Sequence, residues 1–191
     1  DHAGPDAPEA VPLAGPVGTA WVFSSGGPRG FVHVGVIKAL AELGCQPDLI
    51  VGSSVGALVG ALCAAGLPAA EVEALALGLQ PWQLARWNPG AGERMSGSAI
   101  AHLVRKHARV GLLQRLPTPL VCVAQRLRDG AVVAFNRGDL GLAVQAACAI
   151  EGQFTPVRIR GERMADADLR LPMPVRLARS LGAHPSAATG Q

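Results

Sequence analysis

A serine with the surroundings of a catalytic nucleophile lies at position 54, at the centre of the sequence GSSVG. The apolar run Asp48–Val51 before it suits a buried strand, and Ala57–Ala65 after it suits a helix. A G-x-S-x-G sequence between a strand and a helix is typical of a nucleophile elbow, although such strings also occur in ordinary strand-to-helix turns. The elbow would project the Ser54 hydroxyl at a helix N-terminus, where a developing anion is favoured.

A glycine-rich turn precedes this serine in the chain. It spans Ser25–Gly30 and joins a predicted buried strand, Thr19–Ser24, to a predicted helix, Phe31–Leu43. The turn has neither the spacing of a dinucleotide fingerprint nor the G-K-[ST] of a P-loop. The backbone N–H groups of Gly26 and Gly27 could hold an anion, and a tight structural turn is the alternative. Because the candidate nucleophile lies in the next unit, we favour an oxyanion hole.

The elements that position these residues alternate between strands and helices. Two successive strand–turn–helix units predict an α/β fold with a parallel sheet. Further predicted helices are Ala69–Leu79, Ser98–His107, Leu140–Ile150 and Met173–Leu181, and further predicted strands are Leu120–Ala124, Ala131–Phe135, Val157–Ile159 and Arg163–Asp166. Residues 1–17 are expected to form a flexible lead-in, residues 18–183 one catalytic domain, and residues 184–191 a polar tail.

The composition limits the classes of function. The chain has 191 residues, of which 49% are hydrophobic and 16% charged, so it is globular and rather apolar. A net charge of +3 is too small and scattered to indicate nucleic acid, and mildly favours an anionic lipid surface. The four cysteines form no C-x-x-C pair, which argues against zinc. The longest apolar stretch, Val55–Ala70, is too short to span a bilayer. We therefore expect a soluble chain, cytoplasmic or peripheral to the cell envelope.

Four stretches together resemble the patatin-like phospholipase family. They are SGGPRGFVHVGVIKAL, LIVGSSVGALVGAL, AVQAACAIEGQFTPVRI and MADADLRLPMPVRLARSLGA. The first resembles the family's G-G-G-x-R-G block, the second its elbow, the third the block before its last strand, and the fourth the segment with its D-G-[GA] aspartate. They come in the family's order and span about Ala20–Ala183, which makes the resemblance specific.

The resemblance implies a patatin fold, a three-layer sandwich with a mainly parallel central sheet and helices on both faces. It also implies a Ser–Asp dyad, with Ser54 as nucleophile and Asp166 as general base. Gly26 and Gly27, with Arg29 nearby, match the oxyanion block. The family hydrolyses acyl esters of phospholipids and related lipids without calcium. The expected partners are a phospholipid or lysophospholipid and a membrane or micelle surface, with no cofactor, metal or nucleic acid.

The chain departs from the family at several positions. Glu151 stands where the family usually has proline, Asp168 where it has glycine, and Gln125 begins a pair that replaces Thr-Asp. Residues 182–191 lack the apolar strand that commonly follows the last helix, so the sheet is expected to lack an edge strand. These departures leave an alternative open: a catalytically impaired patatin-like module that acts in lipid binding or regulation.

Other polar residues allow competing sites. A Ser–Asp–His triad in α/β-hydrolase order would use Ser54, Asp166 and His184, although a solvated terminal histidine is the favoured interpretation. Asp48 is the other carboxylate near the elbow, and it is expected to cap its strand or face solvent. The basic cluster Arg105–Arg109 is expected to form a solvated helix face, with a headgroup contact as the minority interpretation.

Overall fold

The computed structural model describes residues 2–13, 18–23, 39, 41–44, 46–78, 97–150, 154–167 and 184–189. Its strands are β1 (Thr19–Phe23), β2 (Leu49–Ser53), β3 (Leu120–Arg126), β4 (Val132–Phe135), β5 (Val157–Ile159), β6 (Glu162–Asp166) and β7 (His184–Thr189). Its helices are α1 (Val55–Ala64), α2 (Ala69–Gly78), α3 (Ser98–Ala108) and α4 (Leu140–Ala147), with a 3-10 turn at Leu113–Arg115. Apart from β7, these elements follow the predicted ones closely.

The strands form one mixed sheet in the order β5-β6-β3-β2-β1-β7, with β4 also paired to β3. The pairs β1–β2, β1–β7 and β2–β3 are parallel. The pairs β3–β4, β3–β6 and β5–β6 are antiparallel. The predicted α/β class is confirmed, and the parallel strand pairs that the structure describes lie in the half of the sheet that carries the elbow.

Helices α1 and α4 pack on one face of the sheet, where the larger core cluster lies, and α3 packs against both of these helices. Helix α1 is apolar on nearly all sides, as expected of a helix buried between a sheet and other helices. It lies very close to β2, because a Cβ built on Gly52 would fall 2.6 Å from the carbonyl oxygen of Gly56. Glycine at that position is therefore what allows the helix to pass the strand.

The opposite face of the sheet is also buried. It carries a smaller cluster that includes Val22, Val51 and Val121. The helix predicted over Met173–Leu181 lies outside the described residues, and the one predicted over Phe31–Leu43 lies mostly outside them. Strands β1, β2 and β3 are nevertheless almost entirely buried on both faces, as strands at the centre of an α/β fold require.

The expectation that the sheet lacks a strand at its end is wrong. Residues 184–189 form β7, which pairs in parallel with β1. The segment has no apolar alternation and contains Pro185, which cannot donate to a ladder. Proline is tolerated on such an outer strand, and the register shifts between Ala20 and Trp21, next to the position that Pro185 faces. The strand is therefore formed by backbone pairing with β1 and not by an apolar pattern in its sequence.

Residues 2–13 lie against the β4–α4 connection and the β5–β6 turn. The Glu9 carboxylate lies 3.2 Å from Arg137 and 3.7 Å from Arg160. The Val11 N–H donates to the Asn136 side chain at 2.9 Å, and the amide of Asn136 donates back to the Val11 carbonyl at 2.8 Å. The division into lead-in, catalytic domain and tail stays a prediction, and these contacts show where the first segment lies.

Candidate active site

Ser54 occupies a sharp turn between β2 and α1. Its backbone angles are φ 54° and ψ −133°, a combination that costs a residue with a Cβ about 1–3 kcal/mol and persists only where neighbours enforce it. The residue is 1% exposed, and its Oγ has no hydrogen-bond partner among the residues that the structure describes. A buried hydroxyl of this kind in a strained turn requires an explanation, and a reactive role is a common one.

Strands β2 and β6 meet end to end along one edge of β3. Consecutive residues of a strand point their N–H groups to opposite edges. The N–H of Arg126 donates to Ala131 on the β4 side, and the N–H of Leu127 donates to Arg163 on the β6 side. The carbonyl of Pro119 accepts from the N–H of Ile50 of β2. Pro119 and Leu127 are an even number of residues apart, so their backbone groups point to the same edge of β3. β2 and β6 therefore share an edge of β3.

The register places the last residues of these two strands at neighbouring positions. Ser53 pairs with Val123, and Asp166 pairs with the next residue, Ala124. Both strands end there, because β2 runs parallel and β6 antiparallel to β3. The backbone of Ser54, which directly follows Ser53, must turn away into α1, since β6 occupies the next position. The two predicted dyad residues thus come from the two strand ends that meet.

Asp166 lies on the sheet face that α1 and α4 cover. Residues paired across a ladder share a face, and its partner Ala124 belongs to the core cluster beneath those helices. Asp166 is 5% exposed. The buried side chain of Gln125 donates to its carbonyl oxygen at 3.0 Å, and its own N–H donates to Ala149 at 2.9 Å. The backbone that carries this carboxylate is therefore fixed from two sides.

A three-residue segment at the end of α4 touches both candidate residues. The Ser54 N–H donates to the carbonyl of Ala147 at 3.1 Å, and the thiol of Cys148 donates to the carbonyl of Ser54 at 2.9 Å. The carbonyl of Ala149 accepts from Asp166. Sequence reasoning missed this role, although the segment lies in the stretch AVQAACAIEGQFTPVRI that carries part of the resemblance. We call Ala147–Ala149 the bridging segment.

Helix α4 brings the bridging segment to the site. Asp139 caps its start by accepting from the N–H of Leu142 at 2.9 Å. Arg105 of α3 contacts the same carboxylate at 2.9 Å, so part of the basic cluster Arg105–Arg109 is engaged within the fold. A Cβ on Gly141 would fall 2.8 Å from the Arg105 guanidinium, which shows how closely α3 and α4 pack.

The structure does not bring the competing residues to the elbow. His184 pairs with Thr19, at the amino end of the parallel strands. Ser54 follows their carboxyl end, about 20 Å further along the sheet by the rise of a strand. Asp48 accepts from the Thr19 N–H at 2.8 Å, so its carboxylate caps the start of the neighbouring strand β1 rather than that of its own strand. A triad through His184 is not compatible with this topology.

The predicted oxyanion residues Gly26, Gly27 and Arg29 lie outside the described residues, as do Glu151 and Asp168. The neighbouring N–H that can be placed is that of Val55, the first residue of α1. The first N–H groups of a helix have no partner within it and carry its partial positive charge. The elbow therefore presents the Val55 N–H as a hydrogen-bond donor beside Ser54, independently of the glycine-rich turn.

In the part of the chain that can be placed, the thiols of Cys122 and Cys148 are buried and that of Cys63 is partly buried. Burial raises the pKa of the Cys63 thiol and of the Cys122 thiol to about 12. The described residues contain no group of three His, Cys, Asp or Glu side chains arranged to hold a metal ion. Across these same ranges, no helix has the length and apolarity to cross a bilayer.

The fold and the elbow together define an α/β protein with a buried serine where the carboxyl end of a parallel strand meets a helix. The family model for patatin-like phospholipases matches residues 21–179. The chain therefore belongs to the patatin-like phospholipase family, a family of lipid acyl hydrolases. The resemblance found in the sequence is confirmed.

Sequence relatives agree with this assignment. An NTE family protein of Mycobacterium tuberculosis is 35% identical over 159 residues, which are 82% of this chain and 44% of the relative. Patatin-like phospholipase domain-containing protein 6 of Mus musculus is 27% identical over 172 residues, 86% of this chain and 13% of that protein. The chain thus spans less than half the length of either relative.

The fold is similar to the crystal structure of VipD from Legionella pneumophila. The two superpose with a TM-score of 0.69 over 88% of this chain and 49% of that chain, at 16% sequence identity. This likeness concerns the fold alone, and it agrees with the α/β class predicted from the sequence.

Proposed function

We propose that this chain is a serine acyl hydrolase that cleaves acyl esters of phospholipids or related lipids with a Ser54–Asp166 dyad. The observation that carries the proposal is the meeting of β2 and β6 at consecutive positions of β3, because it brings a strained serine and a buried aspartate from distant parts of the chain to one place. Membership of a lipid acyl hydrolase family supplies the class of reaction.

The proposed reaction has two halves. The Asp166 carboxylate takes the hydroxyl proton as Ser54 Oγ attacks the acyl carbon, and the resulting intermediate expels the alcohol, which receives that proton. Water then attacks the acyl-serine and gives a proton to Asp166, and as the acyl–serine bond breaks Asp166 passes that proton to Ser54 Oγ and the fatty acid is released. A carboxylate can act directly as base when it lies within hydrogen-bond reach, so histidine is unnecessary.

The negative charge of each tetrahedral intermediate needs donors already in place. We assign this role to the N–H groups of Gly26 and Gly27, with Arg29 nearby, and to the N-terminus of α1. The expected partners are a phospholipid or lysophospholipid presented by a membrane or micelle surface, and no cofactor is required. The net charge of +3 is compatible with an anionic surface.

A serine-reactive fluorophosphonate tests the proposal. Wild-type protein should be labelled at Ser54, as located by mass spectrometry of the labelled peptide, and should release fatty acid from at least one phospholipid or lysophospholipid in a panel. The variant Ser54→Ala should lose labelling and hydrolysis, whereas Ser53→Ala, one residue earlier, should keep most of both. Asp166→Asn should abolish hydrolysis.

Two results would overturn the proposal. The first is labelling or hydrolysis that persists in folded Ser54→Ala protein, which would place the nucleophile elsewhere. The second is a wild-type protein that binds lipid vesicles but neither hydrolyses the panel nor reacts with the phosphonate. That result would favour the impaired lipid-binding module.

A further inference from the structure

The carbonyl of Ser54 points in an unusual direction. A serine at φ 54° would ordinarily have ψ near +47°, in the left-handed region. Here ψ is −133°, so the Ser54–Val55 peptide is turned by about 180° from that more relaxed orientation. Because a peptide unit is planar and trans, turning the carbonyl also reverses the N–H of Val55.

Two hydrogen bonds hold the peptide in this orientation. The Ser54 carbonyl accepts from the N–H of Ala57 at 2.9 Å, which begins the first turn of α1. It also accepts from the Cys148 thiol at 2.9 Å. The second bond ties the elbow to the bridging segment and comes from a side chain that is 6% exposed. A buried bond of this kind does not compete with water.

We propose that Cys148 is a positioning residue for the elbow. Its thiol holds the Ser54–Val55 peptide against relaxation towards the left-handed region, and so keeps the Val55 N–H directed to the oxyanion of the intermediate. Without the thiol, the peptide turns back in a fraction of molecules and the donor is lost. This inference rests on the proposed function, because it needs Ser54 as nucleophile.

The test compares Cys148→Ala, which removes the donor, with Cys148→Ser, which keeps a hydroxyl donor in nearly the same place. We expect Cys148→Ala to lower kcat by about 10- to 100-fold with KM unchanged, since the lost donor acts in the transition state. Cys148→Ser should stay within about threefold of wild type, as expected when a comparable hydrogen bond is kept. Cys63→Ala is the matched control, because it makes the same chemical change in a half-buried thiol of α1, and it should leave kcat unaltered.

Phosphonate labelling rates provide a second measurement that does not depend on lipid binding. They should fall in Cys148→Ala and recover in Cys148→Ser. If Cys148→Ala does not fold, the isosteric pair Cys148→Thr and Cys148→Val replaces it, and only the threonine variant should keep turnover.

Equal turnover in the alanine and serine variants, or in the threonine and valine variants, would overturn the inference, because a purely structural thiol predicts no such difference. A raised KM with unchanged kcat would also contradict it. Failure of the proposed function looks different, since wild-type protein would then not be labelled at Ser54 at all.

Discussion

Replacing Gly52 with alanine tests whether the closeness of β2 and α1 builds the elbow. The added Cβ would lie 2.6 Å from the Gly56 oxygen, 2.7 Å from Ala57 Cα and 2.8 Å from Ala57 N. All three are backbone atoms of the first turn of α1, so no side chain can rotate away. Since ordinary contacts begin at about 3.4 Å, strand and helix must separate by roughly 0.8 Å.

The structure sets the expected magnitudes. Overpacking of a filled core lowers the free energy of unfolding by about 1–3 kcal/mol. Because the atoms in the way belong to the backbone, we expect Gly52→Ala to lower it by about 3 kcal/mol. The reduced entropy of the unfolded chain offsets only about 0.5 kcal/mol of that. A displacement approaching 1 Å at the nucleophile can lower turnover by about 100-fold. We therefore expect Gly52→Ala to be both less stable and nearly inactive.

Gly60→Ala is the matched control in the same helix. Its Cβ would meet Ile50 Cγ2 at 3.0 Å and Leu120 Cδ1 at 3.4 Å, which are side-chain rather than backbone atoms, so a shift of a few tenths of an ångström relieves the contact. Alanine also gains about 1 kcal/mol of helix propensity over glycine, which offsets a mild overpacking of similar size. Its stability should stay within about 1 kcal/mol of wild type, with turnover little changed.

Urea unfolding followed by circular dichroism, together with hydrolysis of a soluble ester, measures both quantities. A Gly52→Ala protein that matches Gly60→Ala in unfolding midpoint and in turnover would show that the reasoning from the close approach is mistaken.

Four further results are expected. Ser54→Gly should be more stable to urea than Ser54→Ala by about 1–3 kcal/mol, because glycine relieves the backbone strain, and both should be inactive in ester hydrolysis. Gly27→Val should lower kcat by about 100-fold while circular dichroism shows an intact fold, the scale of one lost oxyanion donor. Fatty acid release should be the same with a metal chelator as with added calcium, since the proposed dyad needs no metal. Cys63 and Cys122 should react with iodoacetamide at pH 8 far more slowly than a free cysteine, because burial raises the pKa of each thiol to about 12 and keeps it protonated.

The elements with clear periodicity or turn chemistry were predictable from sequence. The hairpin around Asp129-Gly130 is present as β3 and β4, and the Arg126 guanidinium donates to Asp129, whose pKa falls to about 2. The strand, elbow and helix around Ser54 were also predictable, because small residues there permit few other conformations. Asp166 was singled out through the resemblance, and the strand that it was predicted to end is present as β6.

The remaining features depend on contacts between distant segments. β7 has a polar sequence with a proline, and only its pairing with β1 makes it a strand. The bridging segment supports the elbow through carbonyl groups and one thiol, and carbonyl groups leave no signature in a sequence. Likewise, β2 and β6 share an edge of β3 because of the register of all three strands, and no single stretch of sequence encodes that register.

The meeting of β2 and β6 has a consequence for how activity arises during folding. Ser54 and Asp166 lie roughly 110 residues apart in the chain, so their encounter is among the long-range contacts that form slowly. The elbow can form locally, but Asp166 reaches it only after α4, the hairpin and β6 have all docked on β3. If Asp166 is the base as proposed, a nascent or partly folded chain carries Ser54 without that base, and hydrolysis begins only when the domain is complete.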